Sequence, residues 1–141
     1  MGSAGLKLAE FVNLFHLEIL NKGEDYESTQ LTITDVNRPG LQFQGFYDYF
    51  DPTRLQVIGK AEVMYLKGLS EEARRRCFDG FFLYHIPALV IARELECFPE
   101  CLESARLHGR TLLRTTETTV EFTSHTIELL NRVLAPCVTR Q

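Results

Sequence analysis

Pro87-Ala-Leu-Val-Ile-Ala92 is apolar at every position and β-branched at its centre. A strand with one wet face alternates apolar and polar residues, so an unbroken apolar run predicts a strand covered on both faces, as in a parallel sheet. With Ile86 the run reaches seven residues and contains a proline, whereas a membrane-spanning helix needs about 20. The stretch is therefore placed at the centre of a sheet, and its flanks decide what covers it.

Upstream, Ser70 offers a side-chain acceptor to the first turn of a helix, and Glu71 and Glu72 complement its positive end. Ala73, Cys77 and Phe81 mark the expected buried stripe, with Arg74, Arg75 and Arg76 as a solvated face. Leu55-Gln-Val-Ile58 reads as a further strand ending at Gly59, and Glu62 to Leu66 as one or two helical turns. Leu31-Thr-Ile-Thr34 and Leu17-Glu-Ile-Leu20 read as short strands. Leu8, Phe11, Val12 and Phe15 stand at i, i+3, i+4 and i+7, the spacing of an amphipathic helix with Lys7 and Glu10 towards water.

Downstream, Pro99 suits the first position of a helix that runs to about His108 and closes at Gly109. Thr111 to Arg114 is another short strand. Thr118 and Glu121 have the spacing of a capping box, and Phe122, Thr126, Leu129 and Val133 carry a long helix to Leu134 before Pro136. Strands alternating with helices imply an α/β domain with a small, mainly parallel sheet flanked by helices.

The 141 residues are 45% apolar and 24% charged, enough for one domain with its own core. The formal charge of −4 arises from scattered acidic and basic residues, so no basic stripe tracks a phosphate backbone and nucleic acid is not an expected partner. No secretory signal is legible, and Met1-Gly2-Ser3 is left out of fold reasoning. Cys77, Cys97, Cys101 and Cys137 then read as free cytosolic thiols without disulfides. Cys97-Phe-Pro-Glu-Cys101 has three intervening residues, and no second Cys or His pair at ligand spacing supports a metal.

Motifs for catalysis are missing. The phosphate-cradling G-x-x-x-x-G-K-[ST] fails at both ends, because Arg54 stands in place of the first glycine and Ala61 follows Gly59-Lys60. The dinucleotide, hydrolase and zinc-protease motifs are likewise absent. His16, His85, His108 and His125 stand singly, without a spaced carboxylate to orient them. Asp48 and Asp51, beside aromatics and Pro52, read as turn formers. No catalytic residue and no metal ligand is assigned.

The remaining unusual stretch is Asp35-Val-Asn-Arg-Pro-Gly-Leu-Gln-Phe-Gln-Gly-Phe-Tyr-Asp-Tyr-Phe50. Pro39 and Gly40 predict a type II turn with positive φ at Gly40 and the Arg38 side chain projecting from it. One reading has Arg38 gripping a phosphate or carboxylate beside exposed tyrosines. The other has an aromatic flap closing over the sheet, with Arg38 satisfying local carbonyls. Candidate ligand-binding residues are Asp35, Asn37, Arg38, Gly40, Tyr47 and Tyr49.

These residues also carry a resemblance. Asp35 to Leu41, Gly45-Phe-Tyr-Asp-Tyr-Phe50, Arg54-Leu-Gln-Val-Ile-Gly59 with Glu62 and Tyr65-Leu66, Ile86 to Arg93, Pro99-Glu100, Leu113-Arg-Thr115 and Leu134-Ala-Pro136 closely resemble the N-terminal domain of bacterial HPr kinase/phosphorylase. The likeness covers nearly the whole chain in order. Asn37 departs from a more usual Ser, and Gly109-Arg-Thr111 replaces a common Ile-Pro.

What the resemblance implies is a cytoplasmic, bifunctional enzyme of carbon catabolite regulation. The family phosphorylates a serine of the phosphocarrier HPr with ATP and reverses the step by phosphorolysis. Its ATP and Mg sites lie in a C-terminal catalytic domain that begins just after the Leu-Ala-Pro segment. Residues 4–136 are then the N-terminal domain and 137–141 the start of a linker, so no catalytic residue carries over. The chain is expected to be an accessory, regulatory domain, inactive alone. Its implied partners are its own catalytic domain and, through that domain, HPr, within a homo-hexamer; no membrane partner is implied. A more distant likeness is to the uridine-nucleotide-recognising N-terminal domain of Mur ligases, with Asp35, Arg38, Pro39 and Gly40 at the comparable place. The alternative function is a binding module for a sugar phosphate or nucleotide at the Arg38 loop.

Overall fold

The computed structural model describes residues 5–135, so the calls on Met1 to Ala4 and on 136–141, Cys137 and the linker among them, lie outside the described residues. In chain order the elements are β1 (Leu6–Lys7), α1 (Leu8–Phe15), β2 (Glu18–Asn21), β3 (Gln30–Leu31), β4 (Val36–Asn37), α2 (Gly40–Phe43) and β5 (Leu55–Ile58). They continue as α3 (Lys60–Lys67), α4 (Glu71–Phe82), β6 (Leu89–Ile91), α5 (Pro99–His108), β7 (Leu112–Arg114) and α6 (Thr119–Leu134).

The main sheet has the order β2-β7-β6-β5-β4. Strands β4 to β7 are parallel and β2 closes the edge antiparallel to β7. The apolar run thus supplies the central strand, β6, as its composition predicts. Alternation sorts its side chains onto two faces. Leu55, Val57, Ala88, Val90 and Leu113 join α1 and α6, whereas Ile58, Leu89, Ile91 and Leu112 join α2, α3, α4 and α5. The result is three layers, helices on both faces of a mainly parallel sheet.

Caps agree with the sequence. Ser70 Oγ accepts the Ala73 N–H at 3.1 Å, and Thr118 and Glu121 exchange reciprocal bonds at 3.1 Å. Gly109 ends α5 with φ 69°, a left-handed conformation that costs glycine little.

Three expectations are corrected. The strand expected over Leu31 to Thr34 keeps only Leu31, which pairs with Leu6 of β1 in a small antiparallel sheet, and the next strand starts at Val36, which pairs with Leu55 in the main sheet. The chain must leave the first partner to reach the second, so pairing breaks between them. The buried stripe of α4 is Phe78, Phe81 and Phe82: Phe81 is buried as expected, but Ala73 and Cys77 are only half-buried and Phe78 and Phe82 take their place. That shift turns Arg74 inward, where its guanidinium bonds Glu100 at 2.9 Å and the Leu66 and Leu69 carbonyls. In α6 the stripe is Thr119, Phe122, Thr126 and Leu130, which leaves Val133 exposed.

One contact has no sequence signal. Arg110 is buried and its Nε donates to the carbonyls of Phe82 and Tyr84 at 2.8 and 2.9 Å. It therefore satisfies acceptors that α4 leaves open at its C-terminal end, where a cation also opposes the helix dipole.

Candidate functional site

In an open α/β sheet, ligands bind outside the carboxyl ends of the parallel strands. Arg38 follows β4 at that rim and Gly59 follows β5. Glu62 joins them: its Oε1 accepts the Gly59 N–H at 2.7 Å and the Arg38 Nη2 at 2.7 Å. The carboxylate is 8% exposed and the guanidinium 41% exposed. Arg38 is thus neutralised by a carboxylate, where the sequence offered a ligand or local carbonyls. Glycine is required at 59, because a Cβ there meets the Thr119 hydroxyl at less than contact distance.

The expected type II turn does not form. Pro39 has φ −81° and ψ 33°, and Gly40 begins the single turn α2. The Gly40 N–H bonds the Arg38 carbonyl at 2.9 Å and the Phe43 N–H bonds the Pro39 carbonyl at 2.9 Å. Helical pairing across this stretch satisfies more backbone groups than an isolated turn does.

The six candidate residues divide accordingly. Asp35 meets Arg54 at 3.2 Å. The Asn37 amide donates to Gln56 at 2.8 Å and to Gln42 at 3.1 Å, which ties β4 to β5 and α2. Tyr47 stacks on Tyr84 with centroids 4.8 Å apart, and burial, then Tyr84, then Cys77 push its hydroxyl up to about 12. Gly40 faces open space, and Tyr49 is fully exposed at φ 66°. The loop is neither wholly core nor wholly surface. Phe43 is buried against Phe78 and Phe81, and Phe50 contacts Phe81 and Tyr84, while Phe46 and Tyr49 stay in water.

Below the tyrosines lies a groove of about 340 Å³, lined by Phe43, Tyr47, Tyr65, Leu69, Arg76 and Cys77 among others. A second cleft, of about 550 Å³, opens at the end of β7 between Leu14, Phe15, His16, Thr115, Glu117 and His125. Here the reading of unpartnered histidines is corrected. His125 Nδ1 lies 2.9 Å from Glu117 Oε2, across the turn that starts α6. His108 Nδ1 lies 2.9 Å from the Ser104 carbonyl and 4.0 Å from Asp79. Ser104 Oγ donates to Asp79 at 2.5 Å and is buried. Ser104 Oγ also lies 3.4 Å from His108 Nδ1, but its short bond goes to the Asp79 carboxylate, so its proton is held by Asp79 and not by the imidazole as in an activated nucleophile. Asp51 is the turn former expected, accepting from the Thr53 hydroxyl and N–H, and these bonds hold its carboxyl below its usual range.

No group of three His, Cys, Asp or Glu able to hold a metal occurs among the described residues, and no described helix is long and apolar enough to cross a membrane.

The family described as HPr Serine kinase N terminus matches residues 6–130. The HPr kinase/phosphorylase of Clostridium tetani is 42% identical over 132 residues, covering 94% of this chain and 43% of that protein. Those of Caldanaerobacter subterraneus and Clostridium perfringens are 41% and 39% identical, covering 88% and 94% of this chain and 40% and 42% of theirs. The chain therefore spans about two fifths of the length of these relatives. A similar solved structure is the CBS and DRTGG domains of the regulatory region of a Clostridium perfringens pyrophosphatase, complexed with its activator diadenosine tetraphosphate. It aligns with a TM-score of 0.58 at 14% identity, over 86% of this chain and 45% of that one, a likeness of fold. The Mur-ligase part of the expected resemblance is not what this neighbour shows. A family match across both helical layers and every strand of the main sheet, joined to relatives near 40% identity, places the chain in the HPr serine kinase N-terminal family.

Proposed function

We propose that this chain is the accessory, regulatory N-terminal domain of a bifunctional HPr(Ser) kinase/phosphorylase, and that it does not catalyse alone. The observation that carries the reading is the family match to an N terminus, in a chain of 141 residues that holds no phosphate-loop motif. ATP and Mg then belong to a C-terminal catalytic domain, HPr meets that domain, and the intact protein works as a cytoplasmic hexamer in carbon catabolite regulation. The rim geometry is in keeping with a non-catalytic role, in that Arg38 at the end of β4 is occupied by Glu62.

Incubation of the purified chain with ATP, Mg and HPr is expected to leave HPr unmodified, while an intact relative phosphorylates it. Phosphoserine on HPr from the chain alone refutes the reading.

The second reading is a binding module for a sugar phosphate or nucleotide at Asp35, Asn37, Arg38, Gly40, Tyr47 and Tyr49. It is favoured by the position of Arg38 and Gly59 at the carboxyl ends of β4 and β5. Any anion reaching Arg38 must share it with Glu62, so affinity is expected to be weak and to rise in Glu62→Gln. Titration of glucose 6-phosphate and UDP, with amide shifts read across 35–54, tests it; silence there at millimolar ligand rules it out.

A further inference from the structure

Lys60 directly follows Gly59 at the end of β5, and Leu95 to Phe98 lie in the connection that leaves β6 for α5. Strands β5 and β6 are parallel neighbours, so both segments stand on the rim where open α/β sheets take ligands. Between them is a pocket of about 220 Å³, walled by Val63 and Met64 of α3 and by Leu95 and Phe98 of the connection. Lys60, Lys67 and Glu96 supply its charges.

Positions 60, 63, 64 and 67 stand at i, i+3, i+4 and i+7, so they share one face of α3, apolar in the middle and cationic at both ends. The core does not account for that face, because the residues that α3 buries are Glu62 and Leu66. Met64 is 57% exposed. The opposite wall is fixed. The Leu95 N–H donates to the Ala92 carbonyl at 3.1 Å, and the Leu95 carbonyl accepts Arg114 Nη1 at 3.2 Å. The Phe98 ring packs against Phe78 with centroids 6.5 Å apart and against the Arg74 guanidinium at 4.7 Å.

We propose that this pocket binds a small amphiphilic monoanion, an apolar chain that ends in a carboxylate. The site goes beyond the accessory role and uses none of the residues of the Arg38 loop.

Size, lining and charge select that ligand together. The volume falls below the roughly 300–1,000 Å³ of sites for drug-sized ligands, which restricts the body to a short chain. Four apolar walls suit that chain, and methionine adapts its shape to what lies on it. Lys60 and Lys67 are exposed and, among the described residues, not ion-paired, so either meets an anion without giving up a partner. Two lysines against one glutamate leave one net positive charge, which balances one carboxylate and not two. A compact ammonium on a flexible stem follows the head group while the chain stays on the apolar wall.

The test titrates the isotope-labelled 141-residue chain with octanoate and reads its amide shifts. Saturable shifts centred on 60–67 and 95–98 are expected at millimolar octanoate. Acetate, which has the head without the chain, and octylammonium, which reverses the charge, are each expected to bind about fivefold more weakly or worse. The double variant Lys60→Gln, Lys67→Gln is expected to weaken octanoate about fivefold, the scale of an exposed ion pair. Both lysines are exposed, so the variant keeps its core, and the comparison of octanoate with octylammonium needs no variant. Octylammonium binding as tightly as octanoate, an unchanged affinity in the double variant, or no saturable shift overturns the proposal. Shifts centred on 35–54 overturn it too, and place the anion at the Arg38 loop instead.

Discussion

Glu100 and Arg74 show how a charge enters this core. Glu100 is 2% exposed, and its carboxylate accepts from Arg74 Nε at 2.9 Å. Arg74 also stacks over the Phe98 ring at 4.7 Å. Removal of one partner leaves the other charge buried and unpaired, so Arg74→Ala is expected to destabilise by about 3 kcal/mol in urea unfolding. Arg75→Ala, which breaks an exposed pair with Glu103, should change stability by less than about 1 kcal/mol. The bond from Arg74 holds the Glu100 carboxyl below its usual range. The unfolded carboxyl therefore binds its proton at higher pH than the folded one, so this contribution is present above the ordinary carboxylate range and lost as pH falls through it. Unfolding measured against pH should show that acid-side loss in the native sequence and a smaller one in Arg74→Ala.

At the scale of elements, the aromatic loop acts as a clamp on α4. Phe43 and Phe50 reach Phe81, and Tyr47 and Phe50 close on Tyr84 just beyond the helix. Tyr47 is half-buried in that clamp, and this burial, then Tyr84 and Cys77, push its hydroxyl up to about 12. Phenolate absorbance should show one tyrosine titrating there, absent in Tyr47→Phe and moved towards 10 in Tyr84→Ala. Folding raises this pKa, so its contribution to stability is intact below the ordinary tyrosine value and fades as pH rises from there towards 12. The capped helices were legible because caps are local: Ser70, Pro99, Thr118 and Gly109 act within one turn. The short strands were less so. Gln30–Leu31 and Val36–Asn37 have lengths set by partners elsewhere in the chain.

Across the whole molecule, one sheet serves two helical layers. Leu89 faces α2 to α5 and Leu113 faces α1 and α6, and both are fully buried. Leu89→Ala and Leu113→Ala should each cost about 2–5 kcal/mol. Both layers rest on the same strands, so each variant should still unfold in a single transition by circular dichroism and by tyrosine fluorescence. The sequence by itself determined the layered α/β plan, the central strand, the start of α4 and the extents of α1, α5 and α6, because side-chain period and capping depend on neighbours a few residues away. It also carried the family, through the loop at 35–50 and the segments that follow. Only the tertiary structure decided that Arg38 spends its charge on Glu62, 24 residues on, that Arg74 turns inward to Glu100, 26 residues on, and that Arg114 pairs with Glu18 across β7 and β2. Those pairings depend on which strands lie side by side and how far each helix is rotated, and both are set by packing the whole core at once.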